Sequence, residues 1–228
     1  MRLDLDGTLH PHVLGILLLD DLSAAGVCGG APTARLFDFL RSLDQERLHA
    51  PESVRTAYEL YARALRGCAA GLVREVAGGL WRREAANVFA YAVPLLERLR
   101  RGGVTLTLVS GSPQEIVERV GRGLGCDRWR GAVLAEDRGV YTGEYARMPA
   151  MARQKLALAT DLVGGPEYLA QCGAVGNSVL LTATATASGS VAVPSSSALL
   201  PVLSSASNSL PLSSSVALRF FAATGAAG

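Results

Sequence analysis

Residues 104–110 alternate Thr105 and Thr107 with Leu106 and Leu108, run on through Val109 and Ser110, and meet Gly111 at once. Alternation with β-branched side chains is the pattern of a strand. Ser112, Pro113 and Glu115 follow, which reads as a capping box with proline at the first helical position. Ile116, Val117, Val120 and Leu124 then recur at helical spacing, and Gly125 ends the run. A strand turning directly into a capped helix is the repeating unit of a parallel α/β sheet, so the fold class expected is α/β.

The rest of the chain fits around that unit. Residues 3–9 read as a short strand running into a glycine turn at Gly7. From there to about residue 103 the texture is helical. Val54, Tyr58, Tyr61 and Leu65 form one stripe of a helix opened by Pro51, and Leu72, Val73, Val76 and Leu80 continue the theme. Residues 93–101 make another helix, stopped by Gly102 and Gly103. Asp137, Arg138 and Gly139 suggest a hairpin turn, with 140–145 as the return strand. Residues 151–163 are helical, 172–176 a short buried strand and 190–193 another; from about 204 Ser and Ala dominate and no structure is expected.

Composition narrows the function. The 228 residues carry 22 Lys plus Arg against 20 Asp plus Glu, a net charge of +2, so neither a nucleic-acid partner nor a polybasic membrane arm is expected. Hydrophobic residues make up 49%, enough for a sizeable core and too many for a disordered chain. Acids near the start and no long apolar run imply neither signal peptide nor membrane span, hence a cytoplasmic protein. Cys28, Cys68, Cys126 and Cys172 share no ligand or redox spacing and are expected as free thiols.

The chemistry gathers at Asp4, Asp6, Gly7 and Thr8. Two acids two apart at a strand end can leave the sheet at its carboxyl edge, where open α/β sheets bind ligands. Such a pair suits a nucleophile with an acid/base partner, or a hard cation such as Mg²⁺. Residues 4–9 resemble the first motif of the haloacid dehalogenase superfamily, in its phosphoserine-phosphatase-like branch. Residues 108–112 are similar to its second motif, a strand ending in Ser or Thr, and Lys155 to its third, a lone lysine ahead of a helix. Residues 174–178 are similar to the fourth, and 141–144 resemble a flap common in the branch.

The resemblance implies a Rossmann-like parallel core over 1–12 and 93–203, with an inserted helical cap over 13–92 and a Ser/Ala-rich segment over 204–228. It implies a Mg²⁺-dependent phosphomonoesterase acting on a small phosphorylated metabolite. Asp4 would be the nucleophile and Asp6 the acid and base; Ser110, Gly111 and Lys155 would hold the phosphoryl group, and Asp4, Asp6 and Asn177 the metal. Phosphoserine is a candidate by resemblance only, since no residues that would read its amine and carboxylate are recognisable.

Two features qualify this. Lys155 is the single lysine in a chain that otherwise uses arginine, and it falls where the mechanism needs a compact ammonium. The fourth motif, by contrast, has the neutral Asn177, with Leu181 and Thr182 where a further acid normally stands, and no acid follows Glu167. Weakened Mg²⁺ binding is therefore expected, and the rival reading is a ligand-binding protein on the same fold with impaired catalysis. His10 and His12 are read as loop histidines, and Tyr58 and Tyr61 as packing residues. Gly121, Gly123 and Gly125 follow a helix rather than a strand and are no dinucleotide fingerprint.

Overall fold

The computed structural model describes residues 1–44, 47, 50–149, 152–165 and 172–176. Among them, five strands form one sheet in the order β4-β3-β2-β1-β5. The central strand β1 (Arg2–Leu3) pairs in parallel with β2 (Thr107–Pro113) on one side and β5 (Ala174–Val175) on the other. Although β1 is only two residues long, the ladder runs past its ends: the Thr107 N–H donates to the Met1 carbonyl and the Asp4 N–H to the Val175 carbonyl, both at 2.9 Å. β3 (Arg128–Asp137) runs parallel to β2, and β4 (Val140–Arg147) returns antiparallel at the edge. The turn between them has positive φ at both Arg138 (47°) and Gly139 (83°), as a tight hairpin requires.

Every residue of β2 is buried, because helices cover both faces of the sheet there. α6 (Gln114–Gly123) follows β2 directly, and α7 (Ala152–Val163) sets Ala159 and Leu162 against Val109. Between β1 and α5 (Ala92–Arg101) the chain inserts α1 (Leu14–Ala24), α2 (Gly30–Ser42), α3 (Pro51–Ala64) and α4 (Ala70–Glu84), with a short 3₁₀ turn at Ala85–Asn87. α4 packs on α6 and α3 on β4. One apolar cluster runs from Leu3 and Leu5 through Leu18, Leu65 and Leu80 to Leu108 and Val120. No described helix is long and apolar enough to cross a membrane.

The periodicity of α3 is realised: Val54, Tyr58, Tyr61 and Leu65 are all buried. In α4 the stripe is narrower than expected. Val73 and Leu80 are buried with Ala77, but Leu72 is 49% exposed. It stands one residue from Val73, about 100° around the helix and off the packed face. The four cysteines are free, three of them buried, and burial pushes the Cys68 and Cys126 thiols up to about 11. The expected strand at 190–193 and the segment 204–228 lie outside the described residues.

The larger departure is at the junction of β2 and α6. The strand continues through Pro113, which is the helix N-cap residue rather than its first turn, and no side chain caps the helix. Ser112 and Glu115 do not form a capping box. The Ser112 hydroxyl is taken by Asp6 and by the Gly15 N–H, and Glu115 accepts a hydrogen bond from the Tyr141 hydroxyl. Tertiary partners have outcompeted the local cap. The glycines 121 and 123 also have a packing reason: side chains there would strike the rings of Trp129 and Trp81 respectively.

Gly131 on β3 passes so close to this junction that a Cβ would lie 2.7 Å from the Ser112 carbonyl oxygen and 2.8 Å from the Gln114 Cα. Both are backbone atoms that cannot swing aside. Gly131→Ala should therefore destabilise the fold by about 1–3 kcal/mol, seen as a drop in Tm of roughly 2–10 °C. A Tm unchanged in calorimetry would contradict that close approach.

Candidate active site

The chain leaves β1 at Asp4 and curls immediately. The Leu5 carbonyl accepts from the N–H groups of Thr8, Leu9 and His10, and the Gly7 N–H donates to the His10 carbonyl at 2.8 Å. Gly7 permits the reversal with a φ of 73°. The turn is anchored from outside by Phe89 N–H to the Leu9 carbonyl and by the Tyr91 hydroxyl to the Thr8 carbonyl. His10 is fully buried, takes the His12 N–H on Nδ1 at 3.2 Å and lies 3.5 Å from Glu84. Burial lowers its pKa, so it acts as a neutral peg fixing the loop to α4. Among the described residues it joins no metal-ligating cluster.

The curl directs Asp4 and Asp6 to the same buried edge, 2% and 5% exposed. Asp4 meets Lys155, which comes from α7 across 151 residues of sequence and places Nζ 3.1 Å from both carboxylate oxygens. Asp4 Oδ1 also accepts from the Leu5 N–H at 2.9 Å. Lys155 is itself only 8% exposed, so this ion pair sits where water screens it little.

Asp6 is bound on both oxygens. Oδ1 accepts from the Leu14 N–H at 2.9 Å; Oδ2 is paired with the Ser110 hydroxyl at 2.8 Å and the Ser112 hydroxyl at 2.9 Å. Ser110 Oγ further accepts from the Ser112 N–H. The serine rotors can reverse, so a protonated Asp6 can donate to either hydroxyl. Burial raises the Asp6 pKa, and the Asp4 charge adds to the rise against the three hydrogen bonds that favour the anion.

The structure thus brings Asp4, Asp6, Ser110, Gly111 and Lys155 together at the carboxyl ends of β1 and β2. Asn177 lies outside the described residues. In this arrangement the Ser110 hydroxyl is turned to Asp6, so holding a phosphoryl oxygen would require it to exchange partners. Two contributors escaped the sequence reading. Local pattern reads Ser112 as a helix cap, yet residues two apart on a strand share a face, and the extension of β2 to Pro113 sets Ser112 beside Ser110. Tyr58 packs as expected, but its hydroxyl also donates to the Gly111 carbonyl at 2.9 Å, fixing the backbone at the site.

Beside Gly111 and Ser112 opens a pocket between α1, α2, α3 and β4, walled by residues such as Ile16, Leu40, Tyr61 and Tyr145. The metal that the sequence leads one to expect belongs at the acids themselves. Asp4 and Asp6 are hard oxygen donors of the kind Mg²⁺ takes. The charge fits as well: a phosphate dianion arriving beside Asp4 would meet the single positive charge of Lys155, and a divalent cation would offset the excess that remains.

The raised Asp6 pKa has a consequence for stability. Because the folded value exceeds the ordinary 3.8, the stability Asp6 contributes is fully present below that value and is lost as pH rises through the folded pKa. Urea titrations from about pH 4 to about pH 8 should show Asp6→Asn gaining on the unsubstituted protein as pH increases. A difference independent of pH would mean that the carboxyl is not raised.

Comparison with known proteins agrees with this fold. A family model described as haloacid dehalogenase-like hydrolase matches residues 3–180. A solved structure of a protein of unknown function from Bordetella pertussis Tohama I is similar with 21% identity and a TM-score of 0.60, over 71% of this chain and 72% of that one. A substrate-bound phosphoserine phosphatase complex is similar with 18% identity and a TM-score of 0.51, over 76% and 74%. A HAD family hydrolase from Salmonella enterica subsp. enterica serovar Typhi has 14% identity and a TM-score of 0.51, over 71% and 50%. At these identities the likeness is one of fold. No curated protein matches the sequence.

Proposed function

The chain belongs to the haloacid dehalogenase-like hydrolases, and on that footing we propose that it is a Mg²⁺-dependent phosphomonoesterase acting on a small phosphorylated metabolite in the cytoplasm. The observation that carries this reading is the Lys155 ammonium held 3.1 Å from both oxygens of the buried Asp4, with Asp6 two residues on and bound to Ser110. One carboxylate is paired with a cation that orients it, while the other, bound by neutral donors, has a raised pKa. That division suits a nucleophile and a general acid.

In the reaction, an Asp4 oxygen forms a bond to phosphorus as the ester P–O bond breaks. The leaving oxygen takes the proton from Asp6, giving an alcohol and an aspartyl phosphate on Asp4. Asp6, now anionic, accepts a proton from water, which attacks the phosphorus and releases inorganic phosphate with Asp4 restored. Lys155 neutralises charge on the transferring group, with Ser110 and the backbone at Gly111 as further ligands once the Ser110 hydroxyl turns from Asp6. Asp4, Asp6 and Asn177 are the residues that would hold Mg²⁺, which when bound would supply positive charge to offset that of the transferring group. Residues 13–92 serve as the cap that closes over the site and shapes the substrate pocket.

The reading is tested with a generic aryl phosphate. Hydrolysis should require Mg²⁺ at a higher concentration than an acid-rich site would need, because Asn177 is neutral. Asp4→Asn should lose about 10³-fold or more in kcat, and Lys155→Arg about 10²-fold or more, since a planar guanidinium cannot take the place of the compact ammonium. Both variants should keep the far-ultraviolet circular dichroism of the unsubstituted protein. Absence of Asp4-dependent hydrolysis over a broad panel of esters would leave the protein as a ligand-binding module on a phosphatase fold.

A further inference from the structure

The pocket beside Ser112 carries information about the substrate. It shares Gly15, Gly111 and Ser112 with the catalytic edge, and Ser112 is bonded to Asp6. An ester with its phosphorus in line for attack by Asp4 would therefore have its alcohol half directed into this space. The wall is formed by Ile16, Leu36, Leu40, Ala57, Tyr61 and Tyr145, and no described lining residue is charged. The nearest cation along β4, Arg147, is not among them.

We infer that the substrate is the phosphate monoester of an uncharged, largely apolar alcohol, alkyl or aromatic, rather than of a zwitterion such as serine. The inference rests on the phosphomonoesterase reading of the same site. An ammonium and a carboxylate moved from water into this pocket would lose their hydration without gaining partners among its described residues. A hydrocarbon group of matching size loses nothing and gains contact. Three tyrosine rings reinforce the preference: Tyr58 and Tyr145 lie tilted with centroids 5.6 Å apart, and Tyr61 stands on the same wall. The Tyr58 hydroxyl is already spent on the Gly111 carbonyl. The buried Tyr61 hydroxyl has no partner among the described residues, and Tyr145 adds a second hydroxyl to the lining, so the described wall offers neutral hydroxyls and no charge.

The test compares methyl, ethyl, butyl and benzyl phosphate with O-phosphoserine and O-phosphoethanolamine, all esters of alkyl alcohols, in Mg²⁺ with the full chain. Each added methylene should raise kcat/KM about three- to fourfold until the pocket fills, mainly through KM, and benzyl phosphate should exceed O-phosphoserine by at least about tenfold. Ile16→Asp should flatten the series. A preference for the zwitterions, or a flat series, with hydrolysis intact would overturn the inference while leaving the phosphatase reading standing. Binding of the matching alkyl phosphonates, measured by calorimetry, separates the two further. Affinity that climbs with chain length in a protein that hydrolyses none of the esters would uphold the apolar pocket and refute the phosphatase. Phosphonate affinity independent of chain length would overturn the pocket whatever the turnover.

Discussion

The Asp6 carboxylate is hydrogen-bonded to three residues of two separate elements: the first residue of α1 and two serines at the end of β2. Its position is set by the curl after β1, where the Leu5 carbonyl gathers three N–H groups. The sheet edge, the entry to the inserted helices and the adjacent pocket are therefore referenced to one side chain. A buried carboxylate costs several kcal/mol unless its oxygens are satisfied. Three hydrogen bonds offset much of that cost, and the remainder is visible as the raised pKa. A carboxyl that is both fixed in place and reluctant to ionise is what acid–base work requires.

Asp4 is treated in the opposite way, although it is equally buried and only two residues away. It receives a full positive charge from Lys155 on both oxygens. The contrast comes from the elements that reach each position: α7 delivers an ammonium to one acid, while β2 and α1 deliver neutral donors to the other. A chain otherwise reliant on arginine keeps its single lysine at this contact. The remaining cations are largely at the surface, as in Arg74 with Glu136 and Arg83 with Asp21, where an ion pair adds little to stability.

Much of this was legible from residue order. The alternation at 104–110 gave β2, the stripe through Val54, Tyr58 and Tyr61 gave α3, and Asp137 to Gly139 gave the hairpin that the positive φ values at Arg138 and Gly139 complete. The errors share a cause. Ser112 and Glu115 satisfied a local rule for capping, but each found a stronger partner far away in sequence. Leu72 satisfied the apolar pattern of α4, yet it stands off the packed face of the helix and is half exposed. Local pattern identifies what a residue can do; which competing partner wins depends on what the fold brings within reach.

By itself, the sequence determined the α/β class and the order of most elements, because periodicity and spacing are properties of a single chain direction; the acids, serine and lysine were singled out by the resemblance of their motifs to a known family. Only the tertiary structure decided that Lys155 holds both oxygens of Asp4, that Asp6 binds two serines rather than one, and that the neighbouring pocket is lined by uncharged side chains. The contacts of the two acids join groups separated by 104 to 151 residues. Their distances follow from how the helices pack on the sheet, which no local spacing encodes.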